Sequence, residues 1–167
     1  AFWMPAFLER IRGIPRSEAT VQFGTIVVTT GFIGTFVGGW LGDYCAKYSR
    51  QAYLWLSAVA TMAAAPCVWM ALTTASYTPW MVAAQLCLFL STGPINAAIV
   101  NLVIATERAT AIALGVFAIH VLGDVLSPFI IGALSDASSL QQAVKILPVA
   151  VLVGACVWIF AARAQGT

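Results

Sequence analysis

Charge is scarce in this chain. Eight Lys or Arg and six Asp or Glu make up 8% of its 167 residues, against about a quarter in an ordinary soluble domain. A water-soluble fold is excluded, because there is too little polar surface to cover an apolar core. The formal charge of +2 falls far short of the dense basic surface needed to neutralise phosphates, so nucleic acid is not a partner. Histidine occurs once, at His120, and Cys45, Cys67, Cys87 and Cys156 form no C-x-x-C pair. Neither a metal site nor a disulfide framework is suggested, and the cysteines read as small apolar residues. A nucleotide-binding glycine loop is missing, as are long linkers, charge runs and low-complexity stretches, and no cofactor is expected.

What the chain has instead is apolar length, with 61% of residues hydrophobic. A spanning helix needs about 20 mostly apolar residues, at about 1.5 Å each, to cross a hydrocarbon core of about 30 Å. Five stretches qualify, at about 20–41, 52–72, 79–105, 109–134 and 143–162. They predict an all-α, multi-pass membrane protein of the plasma membrane or the bacterial inner membrane. Ser17 is a candidate cap for the first span, Pro79 is expected at the first position of the third, and Ser139 with Gln142 makes a capping box before the fifth. Trp40, Trp55, Trp80 and Trp158 fall near span ends, where an indole keeps its ring in the apolar boundary and its N–H in water. The opening residues 1–8, AFWMPAFL, would reach only about 12 Å as helix and follow no signal-peptide pattern. They read as the stub of a truncated helix, which makes residues 1–167 the C-terminal transmembrane domain of a longer protein whose N-terminal half is absent.

Alternate loops divide the basic residues evenly. Arg10, Arg12, Arg16 and Lys145 fall on one side, Lys47, Arg50, Arg108 and Arg163 on the other. Discounting the segment after the stub puts the loop of Lys47 and Arg50 in the cytoplasm. The first span ends FVGGWLGD, Phe36 to Asp43, and the fourth ends FIIGALSD, Phe129 to Asp136. Both read F-x-x-G-x-L-x-D, and the odd number of spans between them turns the copies to opposite sides. With the stub restored, these are the second members of two three-helix units of inverted topology, an arrangement found in secondary transporters.

Gly39-Trp40-Leu41-Gly42-Asp43, followed by Lys47 and Arg50, resembles the loop signature G-x-L-x-D-R of the major facilitator superfamily, with Tyr44 in place of the usual arginine. Three further segments resemble Spinster-type transporters of that superfamily in order and spacing. They are Ser91-Thr92-Gly93-Pro94-Ile95-Asn96, then Glu107-Arg108-Ala109-Thr110-Ala111, and then Ile119-His120-Val121-Leu122-Gly123-Asp124 with Ser127-Pro128. The resemblance covers nearly the whole chain. It implies a twelve-helix fold, of which this is the end of helix seven through helix twelve: a C-terminal six-helix bundle with its first helix truncated.

Three groups of residues are candidates for mechanism. His120 and Asp124 are four apart, hence on one helix face, with Ser127 continuing it. A carboxylate near the middle of a span costs about 2.5–3.5 kcal/mol on insertion scales, so it is expected to face the bundle interior, a polar cavity or a partner. The pair is read as a lining of the translocation path, with protons as a candidate coupling ion; a structural pin between helices is the other reading. In the third span, Gln85, Thr92 and Asn96 share a face, and Gly93-Pro94 is expected to interrupt the helix between them and free backbone groups for substrate. Packing by small and amide side chains is the alternative there, and it is favoured for Gln22, Thr25, Thr29 and Gly34-x-x-x-Gly38. Asp43 ends its helix where the dipole disfavours a carboxylate, so it needs a positive partner, with Lys47 and Arg50 in reach. The resemblance implies that Gly39, Asp43, Lys47 and Arg50 form a gating latch.

These features point to a secondary transporter that works by alternating access. The resemblance implies an amphiphilic, lipid-like solute, with membrane lipids and the missing half of the same transporter as partners. An intramembrane enzyme built on His120 and Asp124 lacks a nucleophile, since Ser127 is bound into Ser-Pro and no second histidine exists, so no enzyme is expected. The alternative outside transport is a non-transporting membrane subunit or receptor.

Overall fold

The structure is a computed structural model that describes residues 3–49 and 51–165. Its elements are α1 (Trp3–Arg12), α2 (Arg16–Ala46), α3 (Ala52–Thr73), α4 (Tyr77–Leu102), a 3₁₀ turn (Ala105–Glu107), α5 (Arg108–Ile119), a π-helical stretch (His120–Val125), α6 (Leu126–Ala137), α7 (Leu140–Ala143) and α8 (Ile146–Ala164). No strand occurs among the described residues. Among the described residues, five segments are long and apolar enough to cross a membrane: α2, α3, α4, the continuous run Ala105–Ala137 and the run Leu140–Ala164. The chain is an integral, multi-pass, all-α membrane protein.

The start signals fare unevenly. Ser139 caps α7 as expected, its hydroxyl accepting from the Gln142 backbone N–H at 3.3 Å. Ser17 does not cap α2: the helix begins at Arg16 after Pro15, with no side-chain cap bond. The fixed φ of Pro15 follows Gly13, the one described residue with positive φ (70°), and together they turn the chain sharply from α1 into α2. Pro79 is the third residue of α4 rather than the first, because the helix starts at Tyr77. Proline is tolerated there all the same, since the early N–H groups of a helix have no intrahelical acceptor.

Close packing concentrates on α4, which lies against α3 and α2, while α3 also packs on α8. The α2–α4 contact is made by glycine. Gly34, Gly38 and Gly42 are buried at four-residue intervals on one face of α2. A Cβ at Gly34 would sit 2.9 Å from the Phe89 Cβ, and one at Gly38 would collide with the Leu90 carbonyl. On α4, a Cβ at Gly93 would come within 2.9 Å of the Gly39 backbone nitrogen. In lipid, where apolar surface gains little by leaving the solvent, such backbone-to-backbone approach is a main source of helix association.

Buried side chains gather at the two ends of the bundle. One end holds Phe7, Leu8, Ala19, Leu72, Ile131, Leu140 and Val144. The other holds Leu54, Ala98 and Ala162. Phe7 is 1% exposed and so belongs to the core at the first end. The run Ala105–Ala137 is the least enclosed span, with 6% of its apolar window buried against 22–44% for the others.

Candidate functional site

The midpoint of the 33-residue run Ala105–Ala137 falls at about residue 121, so His120 and Asp124 lie near the middle of that span. His120 Nδ1 and Asp124 Oδ2 are 2.6 Å apart, a charge-assisted contact when the imidazole is protonated. Both side chains are open, 64% and 43% exposed. Ser127, one turn on, is half-buried. The pair stands on the six-residue π-helical stretch His120–Val125. A π turn carries an extra residue per turn, weakens the regular hydrogen-bond ladder and often marks a functional segment. The sequence holds no signal for it beyond the two polar side chains themselves.

The α4 face is continuous helix. Gly93-Pro94 does not interrupt it, contrary to the sequence-based expectation. Proline removes the N–H that would bond the carbonyl four residues earlier, that of Leu90. Here Leu90 O lies directly against Gly38 of α2, so the freed acceptor is covered by a neighbouring backbone. Thr92 and Asn96 are exposed and Gln85 is half-buried. Across the α4–α5 contact, a Cβ at Gly115 would lie 3.5 Å from Ile99 Cδ1. Counting back along antiparallel helices at about 1.5 Å per residue puts Thr92 and Asn96 within about a turn of the depth of His120, and Gln85 farther off. Thr92 and Asn96 thus lie at about the level of the paired His120 and Asp124, and among the described residues no hydrogen bond joins them to that pair.

Asp43 accepts a hydrogen bond from the Tyr53 hydroxyl at 2.9 Å, and no basic side chain pairs with it among the described residues. Of the two bases in loop reach, Lys47 is not its partner in this structure. The Lys47 ammonium sits 5.7 Å from the centre of the Tyr44 ring instead, the middle ring of a series in which Trp40 stacks on Tyr44 and Tyr48 meets it edge-on. Arg50 lies outside the described residues. Gly39 has open space where a Cβ would be. Tyr53 also lines a cavity of about 660 Å³ with Asn101 and Gln165 at this end of the bundle.

Sequence reasoning also passed over Arg12. Its Nη2 donates to Thr74 O at 2.6 Å and lies 3.4 Å from Ala71 O and Leu72 O, the carbonyls that end α3. Its guanidinium lies over the rings of Phe7 and Tyr77 at 5.7 and 5.4 Å. Gln22, by contrast, is used for packing as expected, accepting from the Tyr77 hydroxyl at 3.1 Å. Among the described residues no three His, Cys, Asp or Glu side chains gather to hold a metal ion.

The two F-x-x-G-x-L-x-D motifs end at opposite ends of the bundle. Asp43 bonds the start of α3, whereas Ile131, about a turn and a half before Asp136, packs with Ala19 and Leu72 at the other end. The chain is 30% identical over 152 residues to the sphingosine-1-phosphate transporter of Xenopus tropicalis, covering 80% of this chain and 29% of the relative. It is 31% identical over 156 residues to the spinster homolog 3 protein of Danio rerio, covering 83% and 31%. With an MFS-type efflux pump of Mycolicibacterium smegmatis the identity is 33% over 171 residues, covering 95% and 40%. No family model matches the chain. The chain is similar to the Spinster-like group of the major facilitator superfamily. This Spinster-like chain spans about a third of the length of these relatives. The relatives that carry a functional name are a transporter and an efflux pump, in line with the expectation that the Spinster-like chain is no enzyme.

Proposed function

We propose that the Spinster-like protein is a secondary transporter that moves an amphiphilic, lipid-like organic solute by alternating access, and that this chain is its C-terminal half. The observation that carries the reading is the joint placement of two like motifs at opposite ends of the bundle and an open His120–Asp124 pair near the middle of its span. Inverted units rocking about a midplane polar site are the physical basis of alternating access. An exposed carboxylate at that depth is costly against lipid tails. It is accounted for if the N-terminal half faces it across a polar cavity to which Thr92 and Asn96 also contribute. Histidine is the side chain that changes charge near neutral pH, which supports a proton as coupling ion. Gly39, Asp43, Lys47 and Arg50 would act at the gate, with Tyr53 holding Asp43 in the state seen here.

The likeness to a sphingosine-1-phosphate transporter supports a single-chain lipid with a charged head as solute. The equally extensive likeness to an efflux pump supports a second reading, outward movement of a non-lipid organic solute. The full-length protein in proteoliposomes separates them. Uptake of a labelled sphingoid phosphate or lysophospholipid above protein-free vesicles is expected. Failure with these and with organic cations, in vesicles with an imposed pH gradient of either sign, would overturn transport. Asp124→Asn is expected to lower uptake at least tenfold and to flatten its pH dependence. Unchanged uptake with an unchanged pH profile would remove the pair from the coupling path.

A further inference from the structure

The α3–α8 contact leaves a concave surface on the outside of the bundle. Ala65 and Pro66 of α3 face Pro148 and Leu152 of α8 across a groove of about 420 Å³, with Trp69 and Lys145 at its upper end. The groove exists because of the residues that line it. Alanine is short and the proline rings are compact, so the two helices meet without bulky side chains to fill the seam. It then continues past Val149 and Leu152 into a second concavity of about 420 Å³ bounded by Val153, Val157 and Phe160. From Lys145 to Phe160 the track runs for about 22 Å at about 1.5 Å per residue, more than the roughly 15 Å of one leaflet's hydrocarbon.

The chemistry is sorted along this track. Lys145 is exposed immediately before α8, and no carboxylate pairs with it among the described residues, whose one ion pair is His120–Asp124. Trp69 lies one turn before the end of α3 and is 46% exposed, at the level where an indole N–H meets headgroups. Below them every lining side chain is apolar or a cysteine, and Val149, Val153, Val157 and Phe160 are each more than half exposed. We infer that this groove binds one anionic phospholipid of the bilayer, its phosphate on Lys145 and Trp69 and one acyl chain laid along α8. A single fixed cation over an apolar track of leaflet depth selects a negatively charged head. A zwitterionic choline head would bring a second cation beside Lys145 and lose that preference.

The test uses the full-length protein in detergent, with dioleoyl phosphatidylglycerol, dioleoyl phosphatidylcholine and sn-glycerol 3-phosphate as probes. Thermal unfolding and native mass spectrometry are the readouts. Phosphatidylglycerol is expected to raise the unfolding temperature and to be retained one per chain, with phosphatidylcholine weaker. Lys145→Gln should weaken phosphatidylglycerol retention about fivefold and leave phosphatidylcholine unchanged, while Lys145→Arg keeps the preference. Leu152→Trp should fill the track and abolish retention of both lipids, with its unfolding temperature without lipid showing that it is folded. An unchanged lipid preference in Lys145→Gln, equal retention of both lipids by the unmodified protein, or full stabilisation by sn-glycerol 3-phosphate alone would overturn the inference. Solute uptake is expected to persist in Lys145→Gln, so failure of the lipid site and failure of transport are read separately.

Discussion

Arg12 acts as a C-terminal cap supplied by another helix. The last carbonyls of α3 have no intrahelical donors, and a guanidinium can serve several of them while its charge complements the negative helix end. Hydrogen bonds from a charged group are worth about 1.5–3 kcal/mol. Arg12→Met is therefore expected to lower stability by about 2 kcal/mol in thermal or denaturant unfolding of the full-length protein. Arg12→Lys should recover less than half of it, because an ammonium cannot reproduce the planar fork or its stacking on Phe7 and Tyr77. Equal stability of Arg12→Met and the unmodified protein would show that the contact contributes nothing net. Asp43 shows the same logic at the other end of the bundle. The need for a donor at that position is legible in the sequence, but which donor is not. Tyr53 reaches it across the α2–α3 turn, while Lys47 is drawn to the Tyr44 ring.

At the scale of the element, α2 and α4 are joined where glycine permits backbone contact, and neighbouring glycines differ in what they permit. Gly38→Ala drives a methyl group into the Leu90 carbonyl, which belongs to helix backbone and cannot swing away. A loss of about 1–3 kcal/mol is expected from such overpacking. Gly39→Ala meets open space and should leave unfolding unchanged, so any loss of transport in that variant would report on gating rather than folding. If both substitutions destabilise equally, the α2–α4 contact is not made as described. The same contact explains why Pro94 bends no break into α4. A proline exposes a carbonyl, and whether that group becomes a ligand or a packing surface depends on what lies opposite, here Gly38. The π-helical stretch under His120 and Asp124 is a second feature of element scale, arising in the span that the other described helices enclose least.

For the whole molecule, the topology rests on the two F-x-x-G-x-L-x-D motifs reaching opposite membrane surfaces. In a background with Cys45, Cys67, Cys87 and Cys156 changed to alanine, single Asp43→Cys and Asp136→Cys variants are expected to react with a membrane-impermeant maleimide from opposite sides of sealed vesicles. Labelling of both from one side would undo the inverted arrangement and the alternating-access reading with it. The five spans were legible because crossing a bilayer needs an uninterrupted apolar length, a property of composition that leaves its mark in the order of residues alone. The polar residues within the spans were legible for the converse reason, since a side chain that is expensive in lipid stands out in an apolar run. Contacts between residues far apart in the chain were not. The reach of Arg12 to Thr74, the covering of the Leu90 carbonyl by Gly38, and the lipid-sized groove between α3 and α8 each depend on which helix faces are brought together. Helix packing in a membrane is set by shape over many weak contacts, and no local pattern of residues records it. The sequence alone therefore determined how many times the chain crosses the bilayer and where its costly groups lie. Tertiary packing decided which of those groups are paired, which are covered and which remain open.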